Sequence, residues 1–349
     1  MGRTVLHLGL LLLMCACFSC RMIRVIEIQS YNPAPITFPS NINTVMIIDN
    51  SAQQPDNVGH RYWSMTNHDS IIAVSADSTA YLFCTSLGKA IAESPLFEDI
   101  RICDDTLRRD SLFFKIQPFT RDEVESICEE YGTDALITLD KLNFQTTLYT
   151  LNLRNNTGEN SISVEISGEL RALWPGQPNL YVFPFSDTLI WSASDEYYFP
   201  MLASFTPSDV KEAMRYFSEY MGYKTHTFFV PHWSEEKRWF YRSFSSEWRR
   251  ATAFASAKRW EEAAKIWTPM YEKTTHWKQK SQLASNLALC YEISGDFSKA
   301  LEYAQVAYNL LAEHTDEKDV YRLIQQAYLS NLKKREETDH TLSEQLREK

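Results

Sequence analysis

Two pairs of adjacent acidic residues are the first candidates for chemistry in this sequence. Asp104-Asp105 and Asp195-Glu196 could supply the general acid and the general base that hydrolysis of a glycosidic bond requires. Adjacent acids of this kind are more often solvated loop residues, and no second catalytic motif accompanies either pair. His232 is the most notable histidine, but a packed position between two domains explains it better than catalysis. We therefore predict no catalytic residue, and an envelope hydrolase that acts on glycan or peptidoglycan through these loop acids is the alternative.

Composition and motifs exclude several other kinds of site. The 349 residues include 10 glycines, and none of them forms a G-x-G pair, so the chain has neither a dinucleotide fingerprint nor a P-loop. No two of the 8 histidines are four residues apart, so the H-E-x-x-H metal motif is absent. The formal net charge of -10 opposes binding to the phosphate backbone of a nucleic acid. We predict no metal, no cofactor, no nucleotide and no nucleic-acid partner.

Acylation of a thiol is the chemistry that the amino-terminal cysteines indicate. Arg3 is followed by an apolar run over residues 5–14, which has the length of a signal peptide and is shorter than the roughly 20 residues that span a bilayer. The motif Met14-Cys15-Ala16-Cys17 resembles a bacterial lipobox, whose last cysteine receives diacylglycerol. Cys17-Phe18-Ser19-Cys20 is a second, weaker match. We predict lipidation at Cys17, with Cys20 as the alternative.

This assignment fixes the first boundary of the chain. The signal peptide then covers residues 1–16, or residues 1–19 if Cys20 is the acylated residue. A redox or metal motif at Cys17-x-x-Cys20 is less favoured, because this motif ends a leader rather than adjoining a βαβ pattern. A plain transmembrane anchor is also less favoured. The other four cysteines stand alone in apolar contexts and are predicted to be single buried thiols, although a disulfide stays open: Cys84, Cys103, Cys128 and Cys290.

The elements that position these residues form two predicted domains. Residues 22–230 alternate strand and helix patterns, which predicts an α+β (mixed α/β) domain. Its helices include one that begins with a capping box at Thr120 and ends at Gly132, and one that begins at Thr206-Pro207 and ends at Gly222. The clearest strand is predicted over residues 161–172, where apolar and polar residues alternate strictly.

After His232-Trp233 we expect the strands to stop and an all-α, tetratricopeptide-like domain to occupy residues 234–335. Trp239, Phe244 and Trp248 fall at helical spacing and are predicted to form one buried face, with neighbouring arginines reaching out to solvent. Residues 336–349 read as a charged tail. The predicted repeat core consists of Leu287, Ala288, Tyr291, Gly295, Phe297, Ala300 and Ala307, with an earlier copy at Trp260, Ala263 and Trp267.

Three segments together resemble a known family. They are the proline-rich stretch over residues 32–42, which precedes the first core strand, the motif at residues 259–263, and the motif at residues 286–292. The chain is similar to Bacteroidetes lipoproteins that pair an α/β domain of unknown function with a tetratricopeptide-like tail. The resemblance implies no activity and no catalytic residue.

These expectations converge on one interpretation. An acylated cysteine, a helical repeat module and the lack of a reactive constellation predict a non-catalytic protein of the cell envelope. We expect it to be held by its lipid on the outer membrane, facing the periplasm, and to bind another envelope protein.

Overall fold

The computed structural model describes residues 23–64, 69–150, 161–192 and 206–346, which divide into two compact units. The α+β unit contains residues 33–232 together with 344–346, and the helical unit contains residues 23–32 together with 233–343. The described strands are β1 (Ile23–Asn32), β2 (Thr44–Asp49), β3 (His60–Ser64), β4 (Ser70–Ile71), β5 (Asp99–Ile102), β6 (Ala135–Thr150), β7 (Ser161–Leu173), β8 (Tyr181–Ser192) and β9 (His232–Tyr241). The described helices are α1 (Thr79–Ala92), α2 (Arg121–Tyr131), α3 (Pro207–Thr225), α4 (Ser246–Ser256), α5 (Trp260–Lys273), α6 (Trp277–Ile293), α7 (Phe297–His314) and α8 (Val320–Gln345).

The predicted fold class is confirmed. The first part of the chain mixes strands and helices, and five consecutive helices follow from Ser246. Within the described residues, no helix combines the length and the apolar character needed to cross a membrane.

The long strand β6 organises the sheet of the α+β unit. Strand β7 runs antiparallel to β6 and occupies one of its edges from Leu136 to Tyr149. The opposite edge of β6 therefore pairs with two parallel strands: β2 lies beside residues 135–139 of β6, and β3 lies beside residues 146–150. Between those two parallel partners, the Gln54 side chain completes the ladder. It donates to the Phe144 carbonyl oxygen at 2.9 Å and accepts from the Phe144 amide at 2.7 Å. Gln54 thus satisfies backbone groups that would otherwise be buried without partners.

Helices cover both faces of this sheet around β2. Val45 and Ile47 pack in the same cluster as Phe83 of α1 and Phe217 of α3, whereas Met46 and Ile48 pack with α2. Alternate residues of a strand point to opposite faces, so both sets of β2 side chains are buried. This explains why the strand reads as an unbroken apolar run, Val45-Met46-Ile47-Ile48.

The predicted ends of two helices have different outcomes. The capping box of α2 is present, with the Thr120 and Glu123 side chains exchanging hydrogen bonds with each other's backbone, and Gly132 ends the helix at a φ of 60°. The prediction that Gly222 ends α3 is wrong, since the helix continues to Thr225. A Cβ at Gly222 would lie 2.3 Å from the Phe83 carbonyl oxygen, so this glycine allows α3 to approach α1 closely.

Strand β9 contradicts the prediction that strands stop at residue 233. Residues 232–241 pair with β1 in a two-stranded sheet, and their burial alternates as in a strand. The prediction that Trp239, Phe244 and Trp248 form one helical face is wrong for the same reason. Trp239 lies in β9 and Trp248 in α4, where it is buried, and Phe244 between them is 76 % exposed. The partner strand β1 comes from the other end of the chain, and residues 23–32 belong to the helical unit. The predicted α+β domain over residues 22–230 is therefore wrong for these residues.

Small residues lie at the contacts between helices of the helical unit. Consecutive helices from α4 to α7 contact each other, and Ala288, Ala300 and Ala304 form a cluster with Tyr328 and Leu332 of α8. Residues 336–345, which the sequence pattern places in a charged tail, continue α8. Their many glutamate, lysine, arginine and glutamine side chains have high helix propensity, which favours this continuation.

Candidate functional site

The acidic pair Asp104-Asp105 lies on an exposed loop after β5. The Asp105 carboxylate accepts a hydrogen bond from the Tyr131 hydroxyl at 2.7 Å, and this contact raises the pKa of Tyr131 to about 12. Neither acid of the pair lines a described cavity. The other predicted pair, Asp195-Glu196, and the lipidation candidates Cys17 and Cys20 lie outside the described residues. Among the described residues no group of three or more histidine, cysteine, aspartate or glutamate side chains could hold a metal ion.

His232 and the four lone cysteines have ordinary structural surroundings. The His232 ring is half-buried 6.2 Å from the His226 ring, and burial lowers its pKa. The described cysteines are free thiols; Cys84, Cys128 and Cys290 are buried, and Cys103 is half-buried. Burial raises the pKa of Cys128 to about 11 and that of Cys290 to about 12, which disfavours the thiolate form that a nucleophile needs.

The residues predicted for the repeat core lie at the contacts between helices. Six of them are fully buried: Ala263, Trp267, Leu287, Ala288, Ala300 and Ala307. The rings of Tyr291 and Tyr303 stack 5.5 Å apart, and the Arg335 guanidinium lies 5.0 Å from the centre of the Phe297 ring. Trp260 is half-buried against the same core, and Gly295 adopts a φ of 82° in the turn between α6 and α7. All ten residues therefore serve packing or the turn rather than a reactive centre.

A cavity of about 610 Å³ opens in the helical unit beside β1, and we call it the β1 cavity. Its lining comes from β1, β9, the α4–α5 turn and the ends of α6 and α8. An apolar centre is formed by Ile26, Ile28, Trp260 and Ile293. The exposed charged residues of the lining carry both signs, and we call them its rim: Arg24, Glu27, Glu235 and Lys258.

A buried carboxylate stabilises the base of the β1 cavity. The side chain of Glu292 is 0 % exposed and accepts hydrogen bonds from Arg238 of β9 at 2.8 to 3.1 Å, from the Tyr328 hydroxyl at 2.8 Å, and from Arg335. Burial alone would lower the pKa of Arg238, but the Glu292 and Glu236 carboxylates outweigh it and hold that pKa above its usual value. The network ties β9, α6 and α8 together and fixes the cavity's shape.

A second cavity, of about 350 Å³, lies in the α+β unit at the carboxyl end of β2, and we call it the strand-end cavity. Asp49, the last residue of β2, lines it together with residues of the following loop, the start of α1 and the loop after β5. Ligands of open parallel sheets bind at this edge, because loops diverge there.

The carboxylates of the strand-end cavity differ in environment. Burial raises the pKa of Asp49, although hydrogen bonds from the Ser51 hydroxyl at 2.7 Å and amide at 2.9 Å act against the increase. Burial is the largest single effect on the pKa of Asp110 and raises it, but hydrogen bonds from the Leu112 amide and from Arg108, together with the nearby positive charges, outweigh burial and lower that pKa. The guanidinium of Arg108 also donates to the carbonyl oxygens of Asn50, Leu112 and Lys115, so the folded structure uses all of its nitrogens.

Sequence reasoning missed both Asp49 and Glu292. A signal was present for Asp49, because an acid that ends a buried strand stands at the usual ligand-binding edge of a parallel sheet. Glu292 carried no such signal, since its partners come from β9 and α8, and β9 was predicted to be helical.

Two family models match the chain. A profile described as "Domain of unknown function (DUF8603)" matches residues 42–241, and one described as "Domain of unknown function (DUF6340)" matches residues 249–334. No curated protein matches the chain.

Two of the solved structures that match have low sequence identity to this chain. One, titled "Crystal structure of uncharacterized protein", is 13 % identical, covers 55 % of this chain and 94 % of its own, and has a TM-score of 0.24. The other, of the hypothetical protein CT253 from Chlamydia trachomatis, is 9 % identical, covers 53 % of this chain and 97 % of its own, and has a TM-score of 0.23. Similarity at these TM-scores supports no argument about function.

Proposed function

The chain belongs to the family described as Domain of unknown function (DUF8603), and from its own residues we propose that it is a lipid-anchored, non-catalytic protein of the cell envelope that binds another protein. The lipid attaches to Cys17, or to Cys20, and the protein resides on the outer membrane facing the periplasm. Strand β1 begins at Ile23, so only a few residues separate either cysteine from a folded element. The partner is therefore a protein that comes close to the same membrane.

The β1 cavity is the observation that supports a protein partner. Interfaces between proteins combine an apolar centre with a polar rim, and this cavity has both. Within the described residues, β1 pairs only with β9, so its other edge has no strand partner. An extended segment of a partner can add to such an edge while its side chains occupy an adjacent cavity. The mixed signs of the rim favour a protein segment over a uniformly charged polymer.

Site-specific photocrosslinking in native membranes tests this proposal. A benzophenone amino acid replaces Glu27 or Glu235 on the rim, and a matched variant carries it at Glu125, an exposed glutamate of α2. After irradiation, both rim positions are expected to form an adduct with the same protein, and Glu125 is expected to form none. If adducts are absent at both rim positions, or equal at all three positions, the β1 cavity is not the partner site.

A further inference from the structure

We propose that the strand-end cavity binds a neutral sugar, with the Asp49 carboxylate as the acceptor that recognises its hydroxyl groups. The site lies wholly in the α+β unit, so this binding goes beyond the proposed partner binding at the β1 cavity. The volume of about 350 Å³ falls in the range of small-molecule sites. Its place at the carboxyl end of β2 is where ligands of parallel sheets bind.

The lining of the cavity is rich in hydroxyl groups that the fold leaves free. The hydroxyls of Ser78, Thr106 and Ser111 make no hydrogen bond to another residue in the described part of the chain. Hydroxyl groups both donate and accept, which suits a ligand that itself carries several hydroxyls. The exposed amide of Gln53 adds a further donor and acceptor.

Charge in the cavity argues against an anionic ligand. Its lining contains one cation, Arg108, whose side chain is 3 % exposed and whose nitrogens donate to Asp110 and to backbone carbonyl oxygens. A phosphate or carboxylate would therefore meet Asp49 without a free positive charge to offset the repulsion.

Asp49 offers an acceptor in the right place. Its Oδ1 accepts from the Ser51 amide and hydroxyl, whereas its Oδ2 accepts no hydrogen bond from the described residues. Because burial disfavours the ionised carboxylate, a donor that reaches Oδ2 restores part of the lost solvation. A sugar hydroxyl is such a donor, and a hydrogen bond to a charged acceptor contributes more than a neutral one.

An exposed aromatic ring in the lining of the strand-end cavity adds an apolar surface that is complementary to a sugar. Tyr81, in the first turn of α1, is 53 % exposed and lines the cavity. The face of a sugar ring carries several C–H groups, and an exposed aromatic ring can cover them. Polar recognition by Asp49 and apolar contact with Tyr81 together match a molecule with hydroxyl edges and an apolar face.

Isothermal titration of the full chain tests this proposal with four neutral probes: glucose, galactose, mannose and N-acetylglucosamine. The protein is kept in a polyoxyethylene detergent, because a sugar-based detergent would compete. Asp49→Asn keeps the size and the Oδ1 acceptor but replaces the Oδ2 acceptor with a donor. We expect at least one sugar to bind, and its affinity to fall at least about tenfold in Asp49→Asn and in Tyr81→Ala. Asp104→Asn, at an exposed acid outside the cavity, is the matched control and should bind normally.

Several results would overturn this assignment. They are no binding of any of the four sugars, unchanged affinity in a folded Asp49→Asn variant or in a folded Tyr81→Ala variant, and binding of spermidine in place of a sugar. The urea midpoint of each variant shows whether it is folded. If Asp49→Asn unfolds, Tyr81→Ala and Ser111→Ala, at exposed positions, decide the question.

Discussion

At the scale of single residues, Glu292 combines complete burial with partners on two other elements, β9 and α8. Its carboxylate faces Arg238, Tyr328 and Arg335, and its own side chain and that of Arg238 have almost no contact with water. A buried ion pair of this kind contributes little net stability relative to apolar packing, but loss of one member leaves an uncompensated charge. We therefore infer that Glu292 specifies how β9 and α8 dock on α6.

Glu292→Gln should destabilise the helical unit by about 3–5 kcal/mol, because Arg238 and Arg335 would lose the buried carboxylate that they share and Arg238 would keep only Glu236 as a counter-ion. Urea unfolding followed by circular dichroism measures the change. The control is Glu262→Gln, which removes an exposed pair with Arg259 and should leave the midpoint where it was. Equal effects of the two variants would contradict a special role for the buried network.

At the scale of elements, the contact between α1 and α3 depends on the absence of a side chain at Gly222. An alanine is normally better than a glycine inside a helix by about 1 kcal/mol. Here the added Cβ would lie 2.3 Å from the Phe83 carbonyl oxygen, which is backbone and cannot rotate away. The steric penalty should therefore outweigh the gain in helix propensity.

Gly222→Ala should lower the free energy of unfolding by about 1–3 kcal/mol, opposite in sign to the propensity effect. Thermal and urea unfolding measure the loss, and Glu212→Ala, at an exposed position of the same helix, should stay within about 0.5 kcal/mol of wild type. A stabilised Gly222→Ala protein would show that α3 can shift away from α1 at little cost.

Elements formed by local interactions could be predicted from the sequence, and those formed by distant ones could not. The capping box at Thr120 and the alternation in β7 involve neighbouring residues, so both predictions match the structure. Strand β9 depends on pairing with β1, about two hundred residues earlier in the sequence, and its aromatic residues also fit a helical spacing. The candidate cavities share this limit, since their linings combine several separate segments.

At the scale of the whole molecule, charge and lipid act on membrane association in opposite directions. The formal net charge of -10 repels the protein from anionic lipid surfaces. Acyl chains contribute about 0.8 kcal/mol for each buried CH₂ group, and two or more chains give stable attachment. If the proposed anchor is present, the acyl chains at Cys17 or Cys20 must therefore dominate over the electrostatic repulsion.

Cys17→Ser, Cys20→Ser and the double variant test this balance. Cells are fed an alkyne-bearing palmitate analogue, and their membranes are washed with high salt. The wild-type protein should carry the label and stay with the membranes, because salt weakens ionic contacts but not acyl insertion. One single variant and the double variant should lose the label and enter the wash, which also identifies the acylated cysteine. Label retained in the double variant would refute the anchor. An unlabelled double variant that stays with washed membranes would instead show that another contact holds it there.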